Sequence, residues 1–233
     1  MPDALRSHVC EANLALERAG LVTLTWGNVS GVDREKGVMY IKPSGVSYDA
    51  MTPDDMVPVS LEDGQAAAGC GLKPSSDTPT HLALYRAFPE IGGVVHTHST
   101  TATSWAQAGH AIPCFGTTHA DHFHGTIPVT RPLTDQEIKA EYVANTGRVI
   151  VEHFQTHGLN AMHVPGVLVA MHGPFTWGAT PADAVCNAIA LEEIARMAIE
   201  TLAINPSQPP IPDSLLDRHF QRKHGPKATY GQG

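Results

Sequence analysis

Gly92-Gly93-Val94-Val95-His96-Thr97-His98 is the stretch whose reading decides the fold. Two glycines open a β-branched pair, and two histidines stand two positions apart at its end. A short apolar run with this punctuation reads as a buried strand. Just upstream, Thr78-Pro79 starts a helix with proline in its first turn, and Phe88-Pro89 stops it. Further back, Asp3 reads as the N-cap of a first helix with Leu5, Val9, Ala12, Leu16 and Ala19 on one stripe, ended by Gly20. Residues 21–25, 38–42 and 56–60 read as short strands between glycine and proline breaks. Downstream, Thr134-x-x-Glu137 is a capping box before a helix of about twenty residues. Residues 166–172 read as another apolar strand, stopped by Gly173-Pro174. Thr180-Pro181 begins a long helix, and residues 206–212 form a proline-rich connector. A short helix from Asp213 leads into a polar tail. Strands mixed with helices, without regular βαβ alternation and without G-x-G-x-x-G, disfavour a doubly wound dinucleotide fold. They favour an α/β or α+β fold with a mixed or antiparallel sheet flanked by helices, in a single domain over residues 1–233.

The 233 residues carry 15 Lys plus Arg against 23 Asp plus Glu, a formal charge of −8, which disfavours a general nucleic-acid binder. Cys10, Cys70, Cys114 and Cys186 lie far apart and form no C-x-x-C pair, so neither a disulfide framework nor a cysteine-built zinc site is expected. No apolar run approaches the ~20 residues of a membrane span, and no signal peptide is visible; a cytoplasmic protein with no membrane partner is the expectation.

Fourteen histidines are many for this length. In a strand, residues i and i+2 share a face, so His96 and His98 can reach one ion at about 2.0–2.1 Å each. With His172 at a strand end and Asp77 at a helix entrance, the donor set suits Zn²⁺, or Mn²⁺ or Co²⁺. Each feature has a plainer reading beside it: a structural H-x-H, an N-cap at Asp77, a turn histidine at 172. His119, His122 and His124 around Asp121 form a rival cluster, read either as a second metal site or as the surroundings of an acid/base carboxylate. Three further segments, Gly27-Asn28-Val29-Ser30-Gly31, Lys42-Pro43-Ser44-Gly45 and Pro74-Ser75-Ser76-Asp77, read as turns whose exposed N–H groups and hydroxyls can cradle an anion.

Asn28, Ile41-Lys-Pro-Ser-Gly45, Pro74-Ser-Ser-Asp77, Val95-His-Thr-His98, Gly116-Thr-Thr-His-Ala-Asp121, His172-Gly-Pro174 and Lys223-His-Gly-Pro-Lys-Ala-Thr-Tyr230 together resemble the ribulose-phosphate 4-epimerases of the class II aldolase/epimerase superfamily. The resemblance runs from the first helix to the tail and implies an α/β fold of the α+β type, with a central, mainly antiparallel sheet flanked by helices. It implies His96, His98, His172 and Asp77 as ligands of a divalent metal. It implies Gly27, Asn28, Lys42, Ser44, Gly45, Ser75 and Ser76 as the cradle for a pentulose phosphate, and Asp121 and Tyr230 as the acid/base pair. It also implies a homotetramer with active sites at subunit boundaries, the tail from about residue 213 to 233 serving a neighbour. Fuculose-type aldolases carry Glu where this chain has Asp77, and some epimerases carry Glu where it has Val143. The implied reaction interconverts L-ribulose 5-phosphate and D-xylulose 5-phosphate, as in arabinose use, by breaking and remaking C3–C4. The alternatives are an aldolase that releases dihydroxyacetone phosphate and a non-catalytic metal-binding relative.

Overall fold

The computed structural model describes residues 4–68, 70–225 and 228. Its strands are β1 (Asn28–Asp33), β2 (Val38–Ile41), β3 (Val57–Ser60), β4 (Gly93–His96), β5 (Gly166–Val169) and β6 (Gly173–Gly178). They form one six-stranded sheet in the order β3-β2-β1-β4-β6-β5, every neighbouring pair antiparallel. The helices are α1 (Ala4–Arg18), α2 (Thr78–Ala87), α3 (Thr100–Ala108), α4 (Thr117–Ala120), α5 (Asp135–Lys139), α6 (Tyr142–Thr156), α7 (Pro181–Ile204) and α8 (Asp213–His224). The expected α/β architecture is the one observed.

β4 sits mid-sheet because all four of its residues are buried, which is what an apolar run needs when helices cover both faces. Val95 and its partner Val29 pack against Ala12 and Leu16 of α1 and Ala184, Val185 and Ala188 of α7. Val94 points the other way, into a larger cluster with Leu82, Leu84 and Tyr85 of α2, Phe154 of α6 and Trp177 of β6. Period-two alternation therefore places Asn28, Ser30, Val94 and His96 together on the α2 side of the sheet. Gly93 is required by close approach: a Cβ there would lie 2.5 Å from the Pro181 backbone, where α7 starts across the strand.

Several local expectations need correction. Residues 21–25 are not a strand; the segment is irregular, with Leu24 at φ +56° and largely exposed. Residues 28–31, read as a turn, belong to β1. Their small polar side chains are accepted there because α1 grips the strand: buried Asn13 accepts from the Val29 N–H at 2.8 Å and donates to the Val29 carbonyl at 3.1 Å. The helix after Thr134 is broken into α5 and α6 at Ala140–Glu141, and the Asn145 amide donates across the break to the Glu137 carbonyl. The strand over 166–172 ends at Val169; Ala170, Met171 (φ +62°) and His172 make a hairpin turn, and Gly173-Pro174 starts β6 instead of stopping a strand. Asp3, the expected first N-cap, lies outside the described residues.

Two fully or nearly buried histidines away from the cavity described below set a pH limit. Burial pushes His81 and His119 down to about 4 each, and the folded chain holds both rings neutral. A depressed histidine contributes stability that is complete above its unfolded value of about 6.5 and lost as pH falls towards 4. Urea unfolding midpoints should therefore fall steadily between pH 6.5 and 4; a midpoint flat across that window would show that neither ring resists protonation.

Candidate active site

Because neighbouring strands run antiparallel, the start of β1, the ends of β2 and β4 and the start of β6 share one rim of the sheet. The side chains that lead off that rim line a cavity of about 520 Å³. His96 closes β4, His98 lies two residues on, and His172 comes from the β5–β6 turn. One ring nitrogen of each lies within 4.8 Å of the others. The His96 and His98 Nε2 atoms are 3.0 Å apart. His96 Nδ1 donates to the Pro174 carbonyl at 3.0 Å, which leaves its Nε2 lone pair facing the cluster. Its ring stacks on Phe175 with centroids 4.1 Å apart. The loop after His98 is anchored by the Glu192 carboxylate, which accepts from the Thr101 and Ala102 N–H groups at 2.8 and 2.9 Å at the start of α3.

Burial pushes His96 down to about 3 and lowers His98 and His172, so the neutral imidazole is the stable form of all three. Neutral nitrogen donors converging without a counter-charge of their own fit a borderline divalent cation. Asp77 lines the same cavity but stands outside the tight nitrogen group. It occupies the N-cap position of α2, yet its carboxylate caps nothing there; it accepts from the Asn28 amide at 2.7 Å. Burial works against its ionisation, but His96, His81 and the Asn28 amide together hold it below the ordinary carboxylate range.

Opposite the histidines, Lys42 is 2% exposed. Its ammonium donates to the Val46 carbonyl at 2.9 Å and to Thr25 and Pro43 at 3.4 Å, and lies 4.8 Å from the Tyr48 ring centroid. None of these partners is an anion, and burial lowers its pKa. A buried cation held, among the described residues, only by neutral groups favours an anionic ligand. Asn28 Oδ1 is buried with no partner among the described residues, although its amide nitrogen donates to Ser75 Oγ at 3.0 Å and to Asp77. Gly27 approaches the His96 carbonyl too closely for a Cβ, at φ +76°, and Gly45 takes φ +74° in the loop after Lys42. Gly27, Asn28, Lys42, Ser44, Gly45, Ser75, Ser76, Asp77, His96, His98 and His172 thus all line one cavity.

Asp121 does not line it. The carboxylate follows α4 and faces α8, with Arg222 at 2.9 and 3.2 Å and His219 Nδ1 at 3.1 Å. Burial acts to raise it, but Arg222 and His219 outweigh that and keep it ionised. Tyr230 lies outside the described residues. The rival histidine cluster dissolves into separate contacts: His119 Nε2 donates to the Gly125 carbonyl, His122 meets Lys223 at 3.2 Å, and His124 meets Asp217 at 2.8 Å. Among the described residues, His96, His98 and His172 are the group with metal-ligand spacing.

A family model for the class II aldolase and adducin N-terminal domain matches residues 7–199. The chain belongs to the class II aldolase family. Curated members include the L-ribulose-5-phosphate 4-epimerase UlaF of Salmonella paratyphi C (strain RKS4594), 56% identical over 228 residues that cover 98% of each chain. The enzyme of that name from Salmonella typhi is equally similar, with the same coverage. Among solved structures, an L-fuculose 1-phosphate aldolase shares the fold at TM-score 0.76 and 24% identity, covering 95% of this chain and 97% of its own. The L-fuculose 1-phosphate aldolase from Glaciozyma antarctica PI12 matches at TM-score 0.74 and 21% identity, with 94% and 80% covered.

This class II aldolase family member also carries cavity residues that sequence reasoning passed over. Trp26, half-exposed, tilts over His98 with ring centroids 6.2 Å apart. Tyr142 begins α6 at the helix break and faces His172, with Val143 beside it. The only sequence signal for Tyr142 would have been a break in a helix that looked continuous.

Proposed function

We propose that this class II aldolase family member is a divalent-metal-dependent epimerase interconverting L-ribulose 5-phosphate and D-xylulose 5-phosphate. The observation that carries the reading is the pairing, in one cavity, of three neutral imidazoles with a buried lysine that has no anionic partner among the described residues. Identity of 56% to an L-ribulose-5-phosphate 4-epimerase supports this choice of substrate. Lys42, Ser44, Gly45, Ser75 and Ser76 hold the phosphate; Gly27 and Asn28 take the sugar oxygens nearer the histidines. His96, His98 and His172, with Asp77 turning from Asn28, hold the ion. When bound, it supplies Lewis-acid polarisation of the C2 ketone.

The C4 hydrogen is not adjacent to that ketone, so inversion requires the C3–C4 bond to open. One acid/base group removes the C4 hydroxyl proton as the bond breaks. The aldehyde fragment turns its other face, the bond re-forms, and a second group protonates the new alkoxide. Asp121 and Tyr230 fill these two roles. Because Asp121 lies away from the cavity of its own chain, it and the tail act in an adjacent copy's site, within a homotetramer. Zinc is the first metal to test, with manganese or cobalt next, and the setting is cytoplasmic pentose use, such as arabinose catabolism.

Zinc-loaded protein incubated with L-ribulose 5-phosphate should yield D-xylulose 5-phosphate. Chelation should stop conversion and zinc should restore it. Accumulation of free dihydroxyacetone and glycolaldehyde phosphate would make the protein an aldolase instead, and full turnover after exhaustive chelation would remove the metal from the proposal.

A further inference from the structure

We infer that Tyr142 is a positioning residue for the histidine trio: its phenol oxygen accepts the Nδ1 proton of His172 and fixes that ring in the tautomer whose Nε2 lone pair is free for the ion. The inference rests on the metal reading above.

A neutral imidazole carries one proton on two nitrogens, so the group that holds one nitrogen decides which the other can offer. His96 shows the arrangement plainly, because its Nδ1 faces a carbonyl, which only accepts. Among the described residues, His172 has no such carbonyl partner. Its Nδ1 faces the Tyr142 hydroxyl at 3.4 Å, with the two rings 6.1 Å apart and tilted 32°. A hydroxyl can donate or accept. Donation would place the ring proton on Nε2 and remove His172 from the donor set. Acceptance leaves Nε2 free and turns the phenol's own hydrogen towards the cavity that Tyr142 lines.

The placement of Tyr142 comes from the chain break between α5 and α6. A continuous helix would fix this residue by the phase of α5. Instead α6 restarts at Tyr142, and the Thr146 hydroxyl donates to the Tyr142 carbonyl at 3.0 Å within its first turn. Neighbouring Val143 is apolar and offers His172 no alternative partner.

The test is Tyr142→Phe, which keeps the ring and removes only the oxygen at a half-exposed position. Zinc titration of metal-free protein by calorimetry should show about tenfold weaker binding, the low end of what loss of such a partner costs, because the contact is long and partly solvated. The visible spectrum of the cobalt-substituted protein should shift. Nitrogen-15 imidazole shifts of metal-free protein should show His172 moving from mainly Nδ1–H to a mixture of tautomers. Affinity within twofold of the parent, with His172 unchanged, would overturn the inference. Normal affinity in the Phe variant but loss in Tyr142→Ala would assign the effect to ring packing and overturn it equally. If the parent chain binds no zinc, the metal reading fails on its own, and the tautomer measurement still decides the role of Tyr142.

Discussion

Mixing chains that carry His96→Asn with chains that carry Asp121→Asn should restore an activity that neither possesses alone. Each single variant should lose at least a hundredfold in kcat, by different routes. His96→Asn removes one of three converging nitrogens and leaves the Pro174 carbonyl and the Phe175 face without the ring they hold; its zinc content should fall. Asp121→Asn keeps the shape beside Arg222 and His219 but removes the proposed acid/base group, and losses of about 10²–10⁴ are usual for such groups; its zinc content should stay intact. The trio and Asp121 lie in different places within one chain, so on the proposed reading a complete site needs two copies. After dissociation and random reassembly of an equimolar mixture, about a quarter of the sites combine an intact trio with an intact Asp121 from a neighbour. Activity near that fraction is the expected result. A mixture as inactive as its components, with mixed assemblies confirmed by mass, would mean that Asp121 serves its own chain or no chain.

Gly93→Val should cost about 3 kcal/mol or more and lower the melting temperature by about 6–12 °C. The reason is steric. A Cβ at 93 would meet the Pro181 Cα and nitrogen and the Thr180 carbonyl at 2.5 Å, and those are backbone atoms at the capped start of α7. There the Thr180 side chain accepts from the Asp183 N–H at 3.1 Å. Neither element can yield without lifting α7 from Val95 and Val29. An unchanged melting temperature would show that α7 moves freely over β4. The valine is not a test of chemistry, since Gly93 lies three residues from His96 at the far end of the strand.

The limits of sequence reading are visible in single residues. Thr78-Pro79 and Thr180-Pro181 marked helix starts correctly because proline at the first turn, joined at α7 by the Thr180 capping side chain, is local chemistry. Residues 28–31 were misread because glycine, asparagine and serine carry turn propensity, whereas Asn13, 16 positions away, supplies the grip that makes them a strand. Gly173-Pro174 misled for the same reason: a stop signal in isolation became the start of β6, where the Pro174 carbonyl orients His96. The Asp77 carboxylate looked like a helix cap; Asn28 draws it into the cavity instead.

The sequence alone determined the local quantities: which residues can ligate a cation, which can cradle an anion, and where helices begin. These follow from side-chain chemistry and from backbone preferences over a few neighbouring positions. The tertiary structure decided everything that depends on strand order. Antiparallel pairing brings the ends of β2 and β4 and the starts of β1 and β6 to one rim, so residues from 27 to 172 share a cavity. It also set Asp121 apart against α8, a separation that no spacing along the chain encodes, because distance in a folded sheet depends on register and layer.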